Sequence, residues 1–412
     1  MSTSPPSSSR LLALDEALER LLGAAQPLGP AERVSTFEAL GRVLAHDVRS
    51  TLDVPPGDNS AMDGYAVRCA DVPAAGTVLP VSQRIPAGVV GGPLAPGTAA
   101  RIFTGAQIPS GADAVVMQEQ CVALDEGVRI DAVPTPGQSI RRRGEDVHRD
   151  AVVLRAGERL RPQHLGLAAS VGAGTLEVAR RPRVALFSTG DELAMPGDAL
   201  KPGAIYNSNR YTLHGLVQAL GCPCEDLGIV PDDLAATRAA LKRAAPGNDL
   251  IVTCGGVSVG EEDHLKPALR AEGRLDLWSI AIKPGKPLAF GQVRRADGSE
   301  AWYIGLPGNP VSAFVTFVLT VRPFLLRLQG AADLHVRAHA ARADFDWLRP
   351  DRRREFLRVR RNADGGLDLY PNQSSGVLTS VAWGDGLLDN PPGHAIHRGE
   401  TVAFLPFAEL LA

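Results

Sequence analysis

The chain has 412 residues, of which 44% are hydrophobic, and this is typical of a globular protein with two to four domains. The 43 basic and 46 acidic residues leave a net charge of −3, which argues against a nucleic-acid-binding or membrane-surface protein. Five cysteines are too few for a disulfide framework in a chain of this size. The sequence has no run of about 18 apolar residues, so we predict no membrane span. We therefore predict a cytoplasmic protein that binds neither nucleic acid nor membranes.

The N-terminal segment predicts a tail followed by helices. Residues 1–10 are rich in serine and proline and lack an apolar run, so we expect a disordered tail and not a signal peptide. The leucine spacing over 11–24 predicts an amphipathic helix, and Ser35–Glu38 resembles a capping box opening a helix to about Ala45. Together with a short helix at Pro162–Val171, these segments predict a discontinuous N-terminal helical or linker domain, covering 11–48 and 149–180.

The rest of the chain divides into three further parts. Residues 49–148 alternate short β-like runs with proline and glycine turns, which predicts an inserted β domain. In 181–330, strands and helices alternate, which predicts a central α/β domain with a parallel sheet. Its predicted strands are 183–188, 224–230, 249–254 and 301–305, and its predicted helices are 209–220, 232–245, 264–272 and 310–328. Short strands return in 331–412 as a small C-terminal β domain. The fold class is therefore multidomain α/β plus β.

The segment DLIVTCGGVSVGEEDH, residues 249–264, carries the strongest chemical signal. A buried strand leads into a turn at Gly255 and Gly256, and three acids, Glu261 to Asp263, precede a helix. Glycines allow a phosphate to approach the backbone, and acids at that place would repel it unless Mg²⁺ lay between them. The segment thus predicts a phosphate and metal site. An ordinary βα turn with an acidic helix start explains it equally well by itself.

Acidic residues follow three of the predicted strands. Because ligands bind outside the carboxyl ends of parallel strands, Glu192, Asp232 and Asp263 could meet at one edge of the sheet. Asp232 is equally explained as a helix N-cap, and Glu192 as an exposed loop acid. P-loop, dinucleotide-binding, zinc-protease and nucleophile-elbow signatures are absent from the sequence.

Basic and polar residues near the last predicted strand indicate an anion site. Lys283 and Lys286 flank a Pro-Gly turn, which would hold two ammonium groups in a defined place, although surface lysines on a turn fit the sequence as well. Asn309 and Ser312 begin the helix 310–328, where they could cap it or hold an anion. Pro323 is expected to end or kink that helix.

Seven segments, taken together and in order, resemble the molybdopterin molybdenumtransferase family, which includes the MoeA proteins and the C-terminal part of gephyrin. They are DNSAMDGYAVR (58–68), RIFTGAQIPSGADAVVMQE (101–119), RRRGED (141–146), LFSTGDEL (186–193), GGVSVGEED (255–263), IKPGKPLAFG (282–291) and GLPGNPVSAF (305–314). The resemblance covers essentially everything after residue 10, and the central domain is accordingly expected to be molybdopterin-binding-like.

The resemblance implies an activity and its partners. The expected enzyme inserts molybdate into adenylylated molybdopterin and releases AMP, using Mg²⁺, in the last step that forms the molybdenum cofactor. It also implies a homodimer in which one protomer's α/β domain faces the partner's β insertion, and other cofactor-biosynthesis proteins are a further class of expected partner. A non-catalytic molybdopterin-binding scaffold and a molybdopterin adenylyltransferase are the alternatives. The acids disfavour the first, and Gly255-Gly-Val-Ser258 in place of a GGTG loop disfavours the second.

The resemblance also implies roles for individual residues. Asp63, Thr104 and Asp263 match catalytic positions, and Glu192, Asp232 and Asp263 match metal positions. The positions implied for substrate or molybdate binding are Gly255, Gly256, Ser258, Lys283, Lys286, Ser312, Arg358 and Thr379. One departure is Trp278-Ser279, because some family members carry a lysine after this aromatic residue.

Overall fold

The computed structural model describes residues 11–256 and 264–411. The first helix, α1 (Leu14–Ala24), buries Leu14, Ala17 and Leu21 in the core of the central α/β unit, so the leucine spacing correctly predicted an amphipathic helix. Strands β1 (Glu32–Ser35) and β2 (Val48–Arg49) follow.

The helix predicted from Ser35 to Ala45 is wrong. Ser35 caps only a single 3-10 turn, Thr36–Glu38, through its side-chain oxygen. Beyond that turn the backbone bonds to a distant segment instead of to itself, as when the Leu44 N–H donates to the Glu158 carbonyl at 2.9 Å. A capping sequence therefore started a turn, and pairing with the returning chain prevented its extension.

The inserted segment is built from short strands, as predicted, and contains no α-helix. The strands are β3 (Asn59–Ser60), β4 (Gly64–Val67), β5 (Thr77–Leu79), β6 (Val81–Ile85), β7 (Ala99–Ile102), β8 (Ala114–Met117), β9 (Cys121–Leu124), β10 (Gly127–Ile130) and β11 (Ile140–Arg141). They form a four-stranded sheet β6-β7-β4-β8, a three-stranded sheet β5-β10-β9 and the pair β11-β3.

The chain then returns to the first unit. It does so through β12 (Val152–Leu154), α2 (Pro162–Ser170) and β13 (Thr175–Val178). Strand β12 pairs with β2, and β13 pairs with β1, both antiparallel. The chain therefore enters and leaves the insertion through two paired strands, so the surrounding unit is not interrupted by the insertion.

The central unit alternates strands and helices, as the sequence indicated. Its elements are β14 (Val184–Thr189), β15 (Leu193–Ala194), β16 (Ile205–Tyr206), α3 (Ser208–Ala219), β17 (Cys224–Val230), α4 (Leu234–Ala244), β18 (Leu250–Cys254), α5 (Leu265–Glu272), β19 (Gly273–Ser279), β20 (Ile282–Lys283), β21 (Pro287–Arg294), β22 (Glu300–Leu306), α6 (Pro310–Thr316) and α7 (Arg322–Leu328). All four strands and all four helices predicted here are present.

The central sheet is mixed and not wholly parallel. Its order is β17-β14-β18-β22-β21-β19, and only the first four strands are parallel. Strands β21 and β19 were not predicted; they add an antiparallel hairpin at one edge. One apolar cluster packs α1, α3, α6 and α7 on one face, and another packs α4 and α5 on the other. The carboxyl ends of the four parallel strands consequently share one edge.

The helix from Pro310 to Leu328 is continuous across a π-helical turn, Phe317–Val321. Pro323 lies in the first turn of α7 and does not end the helix, because the π-helical turn before it accommodates the ring. With a mean hydropathy of 1.6 this helix is long and apolar enough to cross a membrane, but 89% of it is buried in the molecule. It is therefore the central helix of the core.

The C-terminal segment is a small β unit with two short helices. Its elements are β23 (His339–Arg342), β24 (Arg354–Arg361), β25 (Leu367–Leu369), α8 (Thr379–Trp383), β26 (Gly386–Asn390), β27 (Thr401–Pro406) and α9 (Phe407–Leu410). Its sheet has the order β20-β24-β26-β27-β23, with β25 on β24. Strand β20 thus leaves the central unit and joins this sheet, which places the turn after Lys283 between the two units.

Candidate active site

A cleft of about 570 Å³ lies at the carboxyl ends of the parallel strands, and we call it the strand-end cleft. Loops after β14, β17, β18 and β22 form most of its wall, and the C-terminal β unit closes the remaining side. The residues lining it are Thr189, Gly190, Glu192, Asp232, Gly255, Gly256, Lys283, Pro284, Gly285, Lys286, Pro287, Pro307, Gly308, Asn309, Ser312, Arg353, Gln373, Ser374 and Ser375.

Most of the site residues predicted in the α/β unit line this cleft. They are Glu192, Asp232, Gly255, Gly256, Lys283, Lys286 and Ser312, and Asn309 lies among them. The predicted residues Ser258 and Asp263 lie outside the described part of the chain. These residues are spread over more than a hundred positions of the sequence. They meet in the cleft because each lies after a strand of the same sheet or on the turn beside that sheet.

Two carboxylates face the cleft from neighbouring loops. Gly190 has a φ of +142°, and a Cβ there would lie 2.5 Å from Glu192 Oε2, so the glycine makes room for this carboxylate. Asp232 is not the N-cap of α4, because the Asp233 carboxylate accepts the capping bond from the Ala236 N–H at 2.8 Å. The capping explanation for Asp232 is therefore wrong.

The donor set suits a hard cation. Glu192 and Asp232 supply carboxylate oxygens, and Mg²⁺ in proteins is commonly held by one or two carboxylates together with substrate phosphates and water. Within 11–256 and 264–411 no group of three or more His, Cys, Asp or Glu side chains converges as a metal cage. These two carboxylates thus fit a Mg²⁺ ion that also binds a phosphorylated substrate.

The two lysines of the predicted oxyanion turn have different surroundings. Lys283 Nζ lies 3.3 Å from Glu355 Oε1 and 3.4 Å from Asp351 Oδ2. Glu355 is only 1% exposed and also accepts a bond from Trp347 Nε1 at 2.8 Å. Lys286 is exposed to the cleft, and its ammonium has no ion-pair partner in the described part of the chain. Lys286 is thus the more available cation for a bound anion.

The C-terminal unit contributes cleft residues that the sequence reasoning missed. Arg353 makes a two-bond ion pair with Asp351, at 2.9 and 3.0 Å, and this holds the pKa of the Asp351 carboxyl well below its usual range. Gln373, Ser374 and Ser375 complete the wall. No sequence signal marked them, since Arg353 lies in an ordinary basic run and the polar loop resembles any surface turn.

Arg358 lies beside the cleft in a smaller cavity of about 270 Å³, which also contacts Lys283 and Ser374. Its side chain is 1% exposed and donates to Ser380 Oγ at 3.1 Å and to the Phe356 carbonyl at 3.0 Å. Burial lowers the pKa of the guanidinium to about 10. No carboxylate among the described residues pairs with this buried cation.

Thr379 lines neither cavity. Its hydroxyl lies 3.0 Å from the Tyr370 hydroxyl on an exposed surface of the C-terminal unit. The neighbouring Ser380 faces inward instead and contacts Arg358. A one-residue difference on the short helix α8 thus decides which hydroxyl contacts Arg358.

Asp63 and Thr104 form a separate pair in the β insertion. The Thr104 backbone N–H and hydroxyl both donate to Asp63 Oδ1 at 2.7 Å, and these bonds hold the pKa of the carboxyl below its usual value. Asp63 is therefore ionised at neutral pH. Neither residue lines the strand-end cleft of its own chain.

The fold and the cleft define a class of protein, and comparisons with known families agree with it. Residues 12–172 match the family model for the MoeA N-terminal region (domain I and II), and residues 340–407 match the MoeA C-terminal region (domain IV). Residues 185–327, which hold the cleft strands, match the model described as "Probable molybdopterin binding domain". The class is that of multidomain molybdenum-cofactor biosynthesis proteins.

Relatives extend the match over nearly the whole chain. The molybdopterin molybdenumtransferase of Haemophilus influenzae is 37% identical over 97% of this chain and 100% of its own. That of a Nostoc species is 39% identical over 91% of this chain and 88% of its own. The crystal structure of the molybdopterin biosynthesis moeA protein from Pyrococcus horikoshii OT3 has a TM-score of 0.83 at 31% identity, covering 96% of this chain and 100% of that one. This chain belongs to the molybdopterin molybdenumtransferase family.

Proposed function

We propose that this protein inserts molybdate into adenylylated molybdopterin and releases AMP. The observation that carries the proposal is the meeting of Glu192, Asp232, Lys283 and Lys286 in one cleft. Both substrates are anions, so a site that brings them together must offset their repulsion. A cleft with a metal-binding edge and a cationic edge has the charge distribution for that task.

The acidic edge would hold Mg²⁺. Glu192 and Asp232 would be its protein ligands, and Asp263 is proposed as a further ligand. When bound, Mg²⁺ would neutralise charge on the phosphoanhydride and on the departing AMP. Gly190 keeps the Glu192 carboxylate free of steric conflict, and Gly255 and Gly256 allow close approach of the phosphate to the backbone.

The cationic edge would hold molybdate. Lys286 supplies an ammonium without a competing carboxylate in the described part of the chain, and Ser312 supplies a hydroxyl at the start of α6. Arg358 adds a buried positive charge behind Lys283, which an anion in this region would partly compensate. Roles for Ser258 and Thr379 in molybdate binding remain predictions. Ser258 lies outside the described residues, and Thr379 lines neither cavity.

A second copy of the chain would complete the site. Asp63 and Thr104 are bonded to each other in the insertion but lie outside the cleft of their own chain. A homodimer in which the insertion of one protomer faces the cleft of its partner would bring the ionised Asp63 to the reacting groups. We place this dimer in the cytoplasm, which the five free cysteines support.

The direct test is AMP release from adenylylated molybdopterin by the purified protein. We expect release that requires both molybdate and Mg²⁺ and that stops when EDTA removes the metal. Tungstate measured side by side would define the oxyanion preference. Asp232→Asn serves as the matched inactive variant, since it keeps the shape of the residue. Absence of AMP release by the wild-type protein under all these conditions would overturn the proposal.

A further inference from the structure

The start of α3 contacts the carboxyl ends of β14 and β18, a residue within β17 and the loop after β22. Asn207 Oδ1 accepts from the Ser188 hydroxyl, near the end of β14, at 3.4 Å, and it also caps α3 by accepting from the Arg210 N–H at 3.2 Å. Arg210 Nε donates to Asp226 in β17 at 2.6 Å. This turn is therefore attached to the sheet by side chains from several of its positions.

Asn209 makes the connections that matter most for the cleft. Its Nδ2 donates to Cys254 Sγ at 2.9 Å and to the Gly308 carbonyl at 2.6 Å. The Cys254 thiol in turn donates to the Pro307 carbonyl at 3.1 Å. Cys254 ends β18 and directly precedes Gly255, whereas Pro307 and Gly308 belong to the loop after β22.

The two loops that Asn209 joins are close and line the cleft together. The Gly255 N–H donates to the Leu306 carbonyl at 3.2 Å, and a Cβ on Gly308 would lie 4.0 Å from the Gly255 Cα. Gly255, Gly256 and Gly308 carry no side chains that could fix this spacing. The amide of Asn209 bonds to both segments, and the Cys254 thiol adds a further bond between them.

The arrangement carries a cost that packing alone would not require. Asn209 Oδ1 is buried and has no hydrogen-bond partner in the described part of the chain, and the same holds for Nδ2 of Asn207, which is 2% exposed. An unpaired buried polar atom destabilises a fold, so an apolar residue would serve a purely structural contact better. The two hydrogen bonds that Asn209 donates explain why an amide side chain occupies this position.

We infer that Asn209 is a positioning residue that sets the separation of the Gly255-Gly256 turn and the Pro307–Asn309 loop. It does not line the cleft, so it would act on the substrate through these two loops. By fixing two walls of the cleft it determines how well the phosphate end of the pterin substrate fits between them. This inference depends on the proposed function, and it concerns mainly the pterin substrate. The cations proposed to hold molybdate, Lys286 and Arg358, lie on other elements, and Ser312 is the described molybdate residue that follows one of the two loops.

Steady-state AMP release by Asn209→Ala tests the inference, with the KM for adenylylated molybdopterin and the KM for molybdate measured separately. We expect the KM for the pterin substrate to rise about tenfold, the order expected for lost hydrogen bonds, with the KM for molybdate and kcat within about twofold of wild type. Gln218→Ala, near the exposed C-terminal end of the same helix, is the matched control and should change neither KM.

Cys254→Ala provides a second variant in case Asn209→Ala is too unstable to assay. It removes one acceptor of Asn209 and the bond to Pro307, so the same KM should rise about threefold. The inference would be overturned if the variants that fold kept the wild-type KM for the pterin substrate. It would also be overturned if the KM values for both substrates rose equally. Lack of AMP release by the wild-type protein would instead contradict the proposed function, so the two failures are distinguishable.

Discussion

At the scale of residues, the two lysines of one turn are expected to have separable roles. Lys283 is 40% exposed and lies against Asp351 and the buried Glu355, so its charge already has protein partners. Lys286 has no such partner in the described part of the chain and faces the cleft. Removing the first leaves a buried carboxylate without its cation, whereas removing the second changes mainly what the cleft can bind.

Alanine substitution of each lysine tests this difference. Lys286→Ala should raise the KM for molybdate tenfold or more, roughly the value of a charge-assisted hydrogen bond, and change the free energy of unfolding by less than about 0.5 kcal/mol. Lys283→Ala should lower the free energy of unfolding by about 1–3 kcal/mol, because Glu355 loses its ammonium. Urea denaturation and AMP-release kinetics measure the two effects.

Lys242→Ala is the matched control for these lysines. Its side chain on α4 is 61% exposed, and its ammonium pairs with Glu272 of α5 at 3.5 Å, away from the cleft. An exposed ion pair of this kind contributes about 0–1 kcal/mol, and we expect no kinetic change. Equal losses of stability in Lys283→Ala and Lys286→Ala would contradict the separation of roles.

Residues of the site could be predicted from the sequence where a local pattern, such as a strand or a rigid turn, marked their position. Glu192, Asp232 and the two lysines follow strands or flank a rigid turn, so the sequence alone placed them at one edge. Arg353 and Gln373 could not be found in this way, because they reach the cleft only through the folding of a separate β unit. The choice between Asp232 and Asp233 as helix cap likewise depended on which carboxylate reached the Ala236 N–H.

At the scale of elements, the turn that carries the lysines packs on the central helix. Gly285 has a φ of +115°, and a Cβ there would lie far inside van der Waals contact with Thr316 Oγ1 of α6. The turn can therefore lie flat on the helix only with glycine at this position. The helix and the turn together fix the positions of Lys283 and Lys286.

Gly285→Ala should consequently lower the free energy of unfolding by more than its backbone conformation alone would explain. Gly298 is the matched control, since its φ is +84° and a Cβ there would meet nothing within 4 Å. We expect Gly298→Ala to cost about 1–2 kcal/mol for the left-handed backbone, and Gly285→Ala a further 1–3 kcal/mol or so for overpacking. Urea denaturation gives both values, and equal losses would contradict the packing argument.

Elements with a strong local period could be predicted, and elements fixed by distant pairing could not. The four parallel strands and their helices follow from hydrophobic runs and glycine turns. The β19–β21 hairpin and the short strand β20 have no such signal, because β20 consists of two residues that pair with β24 far along the chain. The capping box at Ser35 failed for the same reason, since the following backbone bonds to the returning segment.

At the scale of the whole molecule, the units are connected through the cleft and not only through linkers. Strand β20 belongs to the sheet of the C-terminal unit, and α1 packs on the helices of the central unit. The cleft therefore depends on two units being held in register. The β insertion is different, because its Asp63–Thr104 pair lies outside the cleft of the same chain. The proposed dimer assigns this pair to the partner's site.

Mixing two inactive variants tests whether the site is shared between protomers. Asp63→Asn alters the insertion and Asp232→Asn alters the cleft, and we expect each homodimer to be inactive. In a mixed dimer with shared sites, one site carries both substitutions and the other carries neither. Random association makes half of the dimers mixed, so about one quarter of the wild-type AMP release should return.

The control pair is Asp232→Asn with Glu192→Gln, because both of these residues line the cleft of one chain. Mixed dimers of this pair carry one damaged residue in each site and should stay inactive. Two different affinity tags, used in sequence, would isolate the mixed dimers and verify that the subunits have exchanged. If isolated mixed dimers of Asp63→Asn and Asp232→Asn released no AMP, each site would lie within one protomer, and the insertion would need a role other than completing its partner's cleft.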